Sequence, residues 1–181
     1  MTFKDALAEL TAERKLVKVD HAEQFAPATP GLYSIYVDRA DVLPSPFSGE
    51  LKRRGICLLY VGIASLSLQE RLVQQDLRHC NPATFFRGIG AILGYRPPAG
   101  SLRGMANQNN YKFSRPDTGE IIHWIDDHLR VRWCECEPSL FDKIEQRLIE
   151  HLTPLMNTTH NPARFEALAA LRKVCREIAR R

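Results

Sequence analysis

Gly31-Leu32-Tyr33-Ser34-Ile35-Tyr36-Val37 follows Pro27 and Pro30 and is rich in β-branched and aromatic residues, so it reads as a strand with a sharp start. A second run of the same kind spans Ile56 to Ile63 and contains Tyr60-Val61-Gly62. The stretch between them holds Pro44, Pro46, Ser48 and Gly49, then Lys52-Arg53-Arg54, and shows no helical pattern. The two strands are therefore expected to pair as a hairpin.

Outward from that pair, Phe3, Ala6, Leu7 and Leu10 fall on one face of a helix over about residues 3–14. Ser67-Leu68-Gln69-Glu70 is a capping box, which predicts a helix running to about His79. A further helix is expected over 82–94, then a long polar loop from Arg96 to Tyr111. Asp117-Thr118-Gly119-Glu120 opens a helix over about 119–128, and a third strand follows at 130–136. A helix capped by Ser139 runs to about Leu152, and an amphipathic one starts near Arg164. Runs of helices around few strands give an α+β fold, a small, mostly antiparallel three-stranded sheet flanked by helices with additional helices at both ends.

The 181 residues suit one domain, and 44% hydrophobic with 25% charged residues is ordinary for a folded protein. No apolar run approaches the ~20 residues of a membrane span. Met1-Thr2-Phe3-Lys4-Asp5-Ala6 lacks the layout of a secretory signal. Cys57, Cys80, Cys134, Cys136 and Cys175 are scattered and odd in number, so reduced thiols and a cytoplasmic location are expected.

The net charge of +4 hides segregation. Between Arg71 and Arg115 the bases Arg71, Arg78, Arg87, Arg96, Arg103, Lys112 and Arg115 meet one acid, Asp76, whereas 117–150 is acidic. The end of the chain from Arg164 is basic again. Such patches suit a polyanionic partner.

Two positions break local rules, as functional residues do. Glu145 lies in an apolar stripe with Phe141, Leu148 and Ile149, where a carboxylate needs a cation or metal. Arg71 sits in the opening turns of its helix, against the dipole, unless a phosphate binds there. Tyr33 and Tyr60 lie in neighbouring strands, and Gly62 permits close approach of a ligand or backbone.

Together, Pro30-Gly31-Leu32-Tyr33, Leu59-Tyr60-Val61-Gly62, Arg71, Glu145 and Asn157 resemble the GIY-YIG nuclease superfamily, over about residues 30–160. On this resemblance 30–160 is the catalytic core of a single domain spanning 1–181, with 1–29 and 161–181 as helical extensions. Gly31-Leu32-Tyr33 stands for the first motif and Tyr60-Val61-Gly62 for the second. The resemblance implies a DNA endonuclease with a single divalent cation, Mg2+ or Mn2+, held by Glu145. It makes Arg71 the phosphate clamp, Tyr33 the candidate general base and Tyr60 a partner for the water or phosphate, with Asn157 positioning the helix end or the phosphate. A phenol with pKa near 10 would need cationic neighbours to lower it. No small-molecule cofactor is expected. DNA contacts are expected at Gly62, His79, Arg87, Arg96, Arg103 and Lys112, and at Asn109 within a loop whose amides suit base edges. Where some relatives carry a His or Lys one turn after the arginine, this chain has Gln75, and His79 is the nearest imidazole. A nucleic-acid-binding module without cleavage, and a nuclease for RNA or branched DNA, are the alternatives.

Overall fold

The computed structural model describes residues 1–80 and 83–181. In chain order the elements are α1 (Phe3–Leu10), β1 (Val17–Lys18), α2 (Val19–Phe25), β2 (Gly31–Val37), α3 (Phe47–Arg54) and β3 (Leu58–Ala64). A π-helix, Gln69–Leu77, comes next. It is followed by α4 (Thr84–Ile92), α5 (Arg115–His128), β4 (Leu129–Glu135), α6 (Phe141–Leu152) and α7 (Glu166–Arg180). The expected helix start at Pro82 lies outside the described residues.

The sheet is antiparallel with strand order β1-β4-β2-β3. The expected hairpin partners β2 and β3 do pair, with Tyr33 opposite Gly62 and Ile35 opposite Tyr60. The described residues form four strands where three were expected. The fourth, β1, has two residues, too few for any alternation to register.

Helices cover both faces, which is why every residue of the central strand β2 is buried. Leu32, Tyr36, Leu58 and Val61 pack against α1 and α6 through Leu10, Ile144 and Leu148. Tyr33, Ile35 and Leu59 face the opposite layer, built from α2, α3, the π-helix, α4, α5 and α7.

The connection between the hairpin strands does contain a helix, α3, correcting the reading of that stretch as irregular. Phe47 and Leu51 bury one turn of it, and Glu50 holds Arg54 at 2.8 Å. Lys52-Arg53-Arg54 is its last turn, where cations complement the dipole, and Gly55 ends it at φ +69°. Helix α5 starts earlier than expected because Ser114, not Asp117, caps it: the Asp117 amide donates to Ser114 Oγ at 3.2 Å. Helix α1 is likewise shorter than expected, ending at Leu10.

Candidate active site

Both motif glycines are required by contact. A Cβ at Gly31 would stand 2.4 Å from the Cys134 carbonyl oxygen of the neighbouring strand and 2.7 Å from Leu68 Cδ1. One at Gly62 would stand 2.5 Å from both Cζ and Oη of Tyr33 and 2.9 Å from Tyr60 Cε1. The phenol of the first motif thus lies across the glycine of the second, and the two tyrosine rings are 6.3 Å apart.

The π-helix supplies the next part. In an α-helix residues five apart point about 140° away from one another. Hydrogen bonding in the wider register, as from the Arg78 amide to the Val73 carbonyl at 3.0 Å, brings them onto one face. Arg71 and Asp76 accordingly meet, with Arg71 Nη1 donating to Asp76 Oδ1 at 2.9 Å. The Tyr33 hydroxyl donates to the other oxygen of Asp76. Asp76 has no solvent exposure, whereas the Arg71 side chain keeps 28% and can still reach a ligand.

Burial pushes the Tyr33 phenol well above its ordinary range, with the Asp76 and Tyr60 charges adding to it. Tyr60, partly exposed, is raised for the same first reason, and Arg71 offsets this only in part. The expectation that cations lower a phenol here is therefore corrected: desolvation outweighs Arg71. Burial also holds the Asp76 carboxyl above the usual carboxylate range, opposed by Arg71 and by the Tyr33 hydrogen bond.

Glu145 projects from α6, the layer on the far side of the sheet, yet its charge acts on Tyr60 and Arg71 acts on it. It is half-buried and raised to about 7 by desolvation first, then by Asp142. Among the described residues no hydrogen bond or ion pair satisfies it. A desolvated, unpaired carboxylate fits a hydrated divalent cation, because Mg2+ keeps several waters and takes one or two protein carboxylates. Among the described residues no group of three or more His, Cys, Asp or Glu side chains could enclose a metal.

Asn157 is buried, and its amide is used up by the backbone of the second motif. The Val61 amide donates to Asn157 Oδ1 at 2.9 Å, and Asn157 Nδ2 donates to the Val61 carbonyl at 2.8 Å. The Leu155 and Met156 amides donate to the Leu58 and Leu59 carbonyls, so residues 155–157 line the free edge of β3. Asn161 Nδ2 locks that segment by donating to the Pro154 and Asn157 carbonyls.

Of the expected DNA contacts, Arg87 and Asn109 line one cavity, and the others lie elsewhere. His79 is buried, stacked on Phe86 at 4.3 Å, with no partner on either nitrogen among the described residues. Burial, Arg87 and Lys112 lower it to about 4, so the ring is neutral and turned into the core instead of toward a ligand. Gly62 is filled by Tyr33, leaving no room for a ligand at its Cα. Arg96 donates to the Ala91 and Tyr95 carbonyls. Arg103, Asn109 and Lys112 are exposed on a loop tied to α7 by hydrogen bonds that the Gly100 and Leu102 amides donate to the Ile178 and Ala179 carbonyls. Arg87 lies over the Tyr111 ring at 5.8 Å. Gln75, in the helper position, accepts from Arg71 at 3.4 Å. Asp76 was missed as a site residue, since an α-helical period places it away from Arg71; its isolation as the one acid in a basic stretch was the available signal.

Among the described residues no helix is long and apolar enough to cross a membrane, and all five cysteines are free thiols. The family model of the GIY-YIG catalytic domain matches residues 31–177. No curated protein and no solved structure matches the chain. The family match carries a nuclease-type function and, with it, a nucleic-acid substrate.

Proposed function

The chain belongs to the GIY-YIG catalytic domain family, and on that premise we propose that it is an endonuclease hydrolysing DNA phosphodiester bonds with a divalent cation, Mg2+ or Mn2+. The observation that carries this reading is the convergence of Tyr33 and Arg71 on the buried carboxylate of Asp76, within reach of the charges of Tyr60 and Glu145.

Arg71 clamps a non-bridging oxygen of the scissile phosphate with the guanidinium nitrogens that Asp76 leaves free. Asp76 fixes that guanidinium beforehand, so little reorganisation is needed as charge builds. Tyr33 is the general base: its oxygen takes a proton from the attacking water while its own proton passes to Asp76, to which it is already hydrogen-bonded. The hydroxide so formed attacks phosphorus, and the departing 3′ oxygen takes a proton from solvent. Because Tyr33 is closed in by its neighbours, substrate binding has to open a path for the water beside Tyr60. The Tyr60 hydroxyl orients that water. Glu145 is the residue that would hold the cation, and its raised pKa keeps it weakly acidic until a positive charge arrives. When bound, the ion supplies Lewis-acid polarisation of the phosphate and stabilises the leaving oxygen. Asn157 is a positioning residue, holding Tyr60-Val61-Gly62 in register.

Nicking of supercoiled plasmid with Mg2+ or Mn2+, against EDTA, tests the proposal. Glu145→Ala and Arg71→Ala are expected to lose cutting while remaining folded. Full activity in either variant would overturn the assignment, and salt-sensitive DNA binding without a cut strand would leave a non-cleaving binding module.

A further inference from the structure

A cavity of about 340 Å3 opens among α4, the loop after it, the segment between α6 and α7, and α7 itself. Among the described residues four arginines line it, Arg87, Arg164, Arg172 and Arg176, and no carboxylate does. Arg164 is paired with Glu166 at 2.8 Å. Among the described residues the other three have no acidic partner. Of the partly buried arginines elsewhere, Arg54, Arg71, Arg78, Arg130 and Arg132 each meet a carboxylate, and Arg96 donates to the Ala91 and Tyr95 carbonyls.

The donors at the cavity are left open. Arg87 Nη1 and Arg172 Nε are fully buried and unpartnered among the described residues. Among the described residues the Tyr111 hydroxyl has no oxygen or nitrogen partner, only the Cys175 thiol beside it. Burial lowers both Arg87 and Arg172, and each is lowered further by Arg176. Converging buried guanidiniums without counter-charge are unfavourable, and an anion among them offsets both the repulsion and the cost of burial.

We propose that this cavity binds a phosphate of the nucleic acid other than the one being cut, held by Arg87, Arg172 and Arg176 with the Tyr111 hydroxyl as a further donor. The identity of the ligand rests on the nuclease reading. The cavity lies beside the candidate active site: Phe85, between the lining residues Thr84 and Arg87, packs on the Tyr60 ring at 5.6 Å, and Arg172 donates to the Met156 carbonyl next to Asn157. A strand with its scissile phosphate at Arg71 thus brings another phosphate here. Guanidinium forks match phosphate oxygens in pairs, which suits arginine over lysine for such a pocket. Two sources share this chemistry: an internal phosphodiester and a 5′-terminal phosphate.

Calorimetric titration of the full chain with inorganic phosphate, without divalent cation, tests the site directly. One phosphate is expected to bind, and Arg176→Gln is expected to weaken it by about tenfold, the loss of a charged hydrogen bond. Arg176→Gln should also raise the melting temperature in phosphate-free buffer, because a repulsive charge is gone. Arg172→Gln is the stronger variant, but its side chain packs under Gly88 and donates to the Met156 carbonyl at 3.4 Å, so Arg176→Gln decides the case if it misfolds. A short DNA oligonucleotide bearing a 5′ phosphate is then compared with its 5′-hydroxyl form. Tighter binding of the first, lost in Arg176→Gln, identifies the terminal group; equal binding of both, weakened alike in the variant, identifies an internal phosphodiester. Phosphate and oligonucleotide affinities unchanged in a folded Arg176→Gln protein would overturn the site. A chain that binds phosphate here yet cuts nothing keeps this site and loses the nuclease reading. A chain that cuts DNA but binds no phosphate here loses this site alone.

Discussion

The Tyr33 hydroxyl donates its hydrogen bond to Asp76, forty-three positions away in the chain and wholly shielded from solvent. Asp76→Asn keeps the shape but removes the charge that Arg71 faces. Breaking one side of a buried pair costs roughly 3–5 kcal/mol, and the lower end is expected because Arg71 still reaches water. Nicking should fall by two orders of magnitude or more, roughly what a general base contributes. Raising the pH toward 9 should not restore it, since nothing is left to take the phenolic proton; chemical denaturation and a pH–rate profile check both parts.

Glu145 titrates at about 7 in the folded protein against an ordinary value near 4.5. Cleavage that needs its carboxylate should therefore rise between about pH 6 and 8 at limiting metal, and excess Mg2+ should move that rise to lower pH. The stability effect has the opposite sense. The unfolded chain releases this proton first, so stability is greatest below about pH 4.5 and falls as pH rises through 7. Melting temperatures of the wild type and Glu145→Gln across pH 4–8 should diverge in that window, the variant being the more stable at pH 8.

A methyl group at Gly62 would collide with the Tyr33 ring and hydroxyl. Gly62→Ala should cost about 1–3 kcal/mol, the usual range for overpacking. Its main effect should be on kcat, because Tyr33 is pushed off Asp76 while Arg71 is untouched. A kcat unchanged beside a lowered melting temperature would remove Tyr33 from the chemistry.

Much of this arrangement could be read from the chain, and the exceptions have specific causes. Strands β2 and β3 were legible because their residues are β-branched and aromatic between Pro and Gly breaks. The glycines and tyrosines of both motifs, Arg71, Glu145 and Asn157 were legible through resemblance, but not what each touches. Asp76 stayed hidden because a helical period of 3.6 turns it away from Arg71, and only the π register joins them. Helix α3 stayed hidden because just Phe47 and Leu51 mark its buried face, within a Pro- and Ser-containing stretch. The cavity arginines are spread from residue 87 to residue 176, so no local pattern could group them.

Asn157 tests whether positioning alone can limit the rate. Asn157→Leu strands the amide and carbonyl of Val61 inside the protein, at about 1–3 kcal/mol for each unsatisfied group. Both kcat and melting temperature should fall together, with KM for DNA little changed. Asn157→Asp should be worse for folding at neutral pH, since a carboxylate would face the Val61 carbonyl without a proton to offer. A raised KM with normal stability would instead make Asn157 a substrate contact.

Docking of residues 155–157 along β3 has a consequence for assembly. That flank of the sheet is already occupied by the chain's own backbone, and the opposite flank ends in the two-residue β1. A partner therefore finds no free ribbon along this stretch of β3 on which to lengthen the sheet. Strand addition at this flank would have to peel the Asn157 segment from Val61 first, loosening the second motif as it did so.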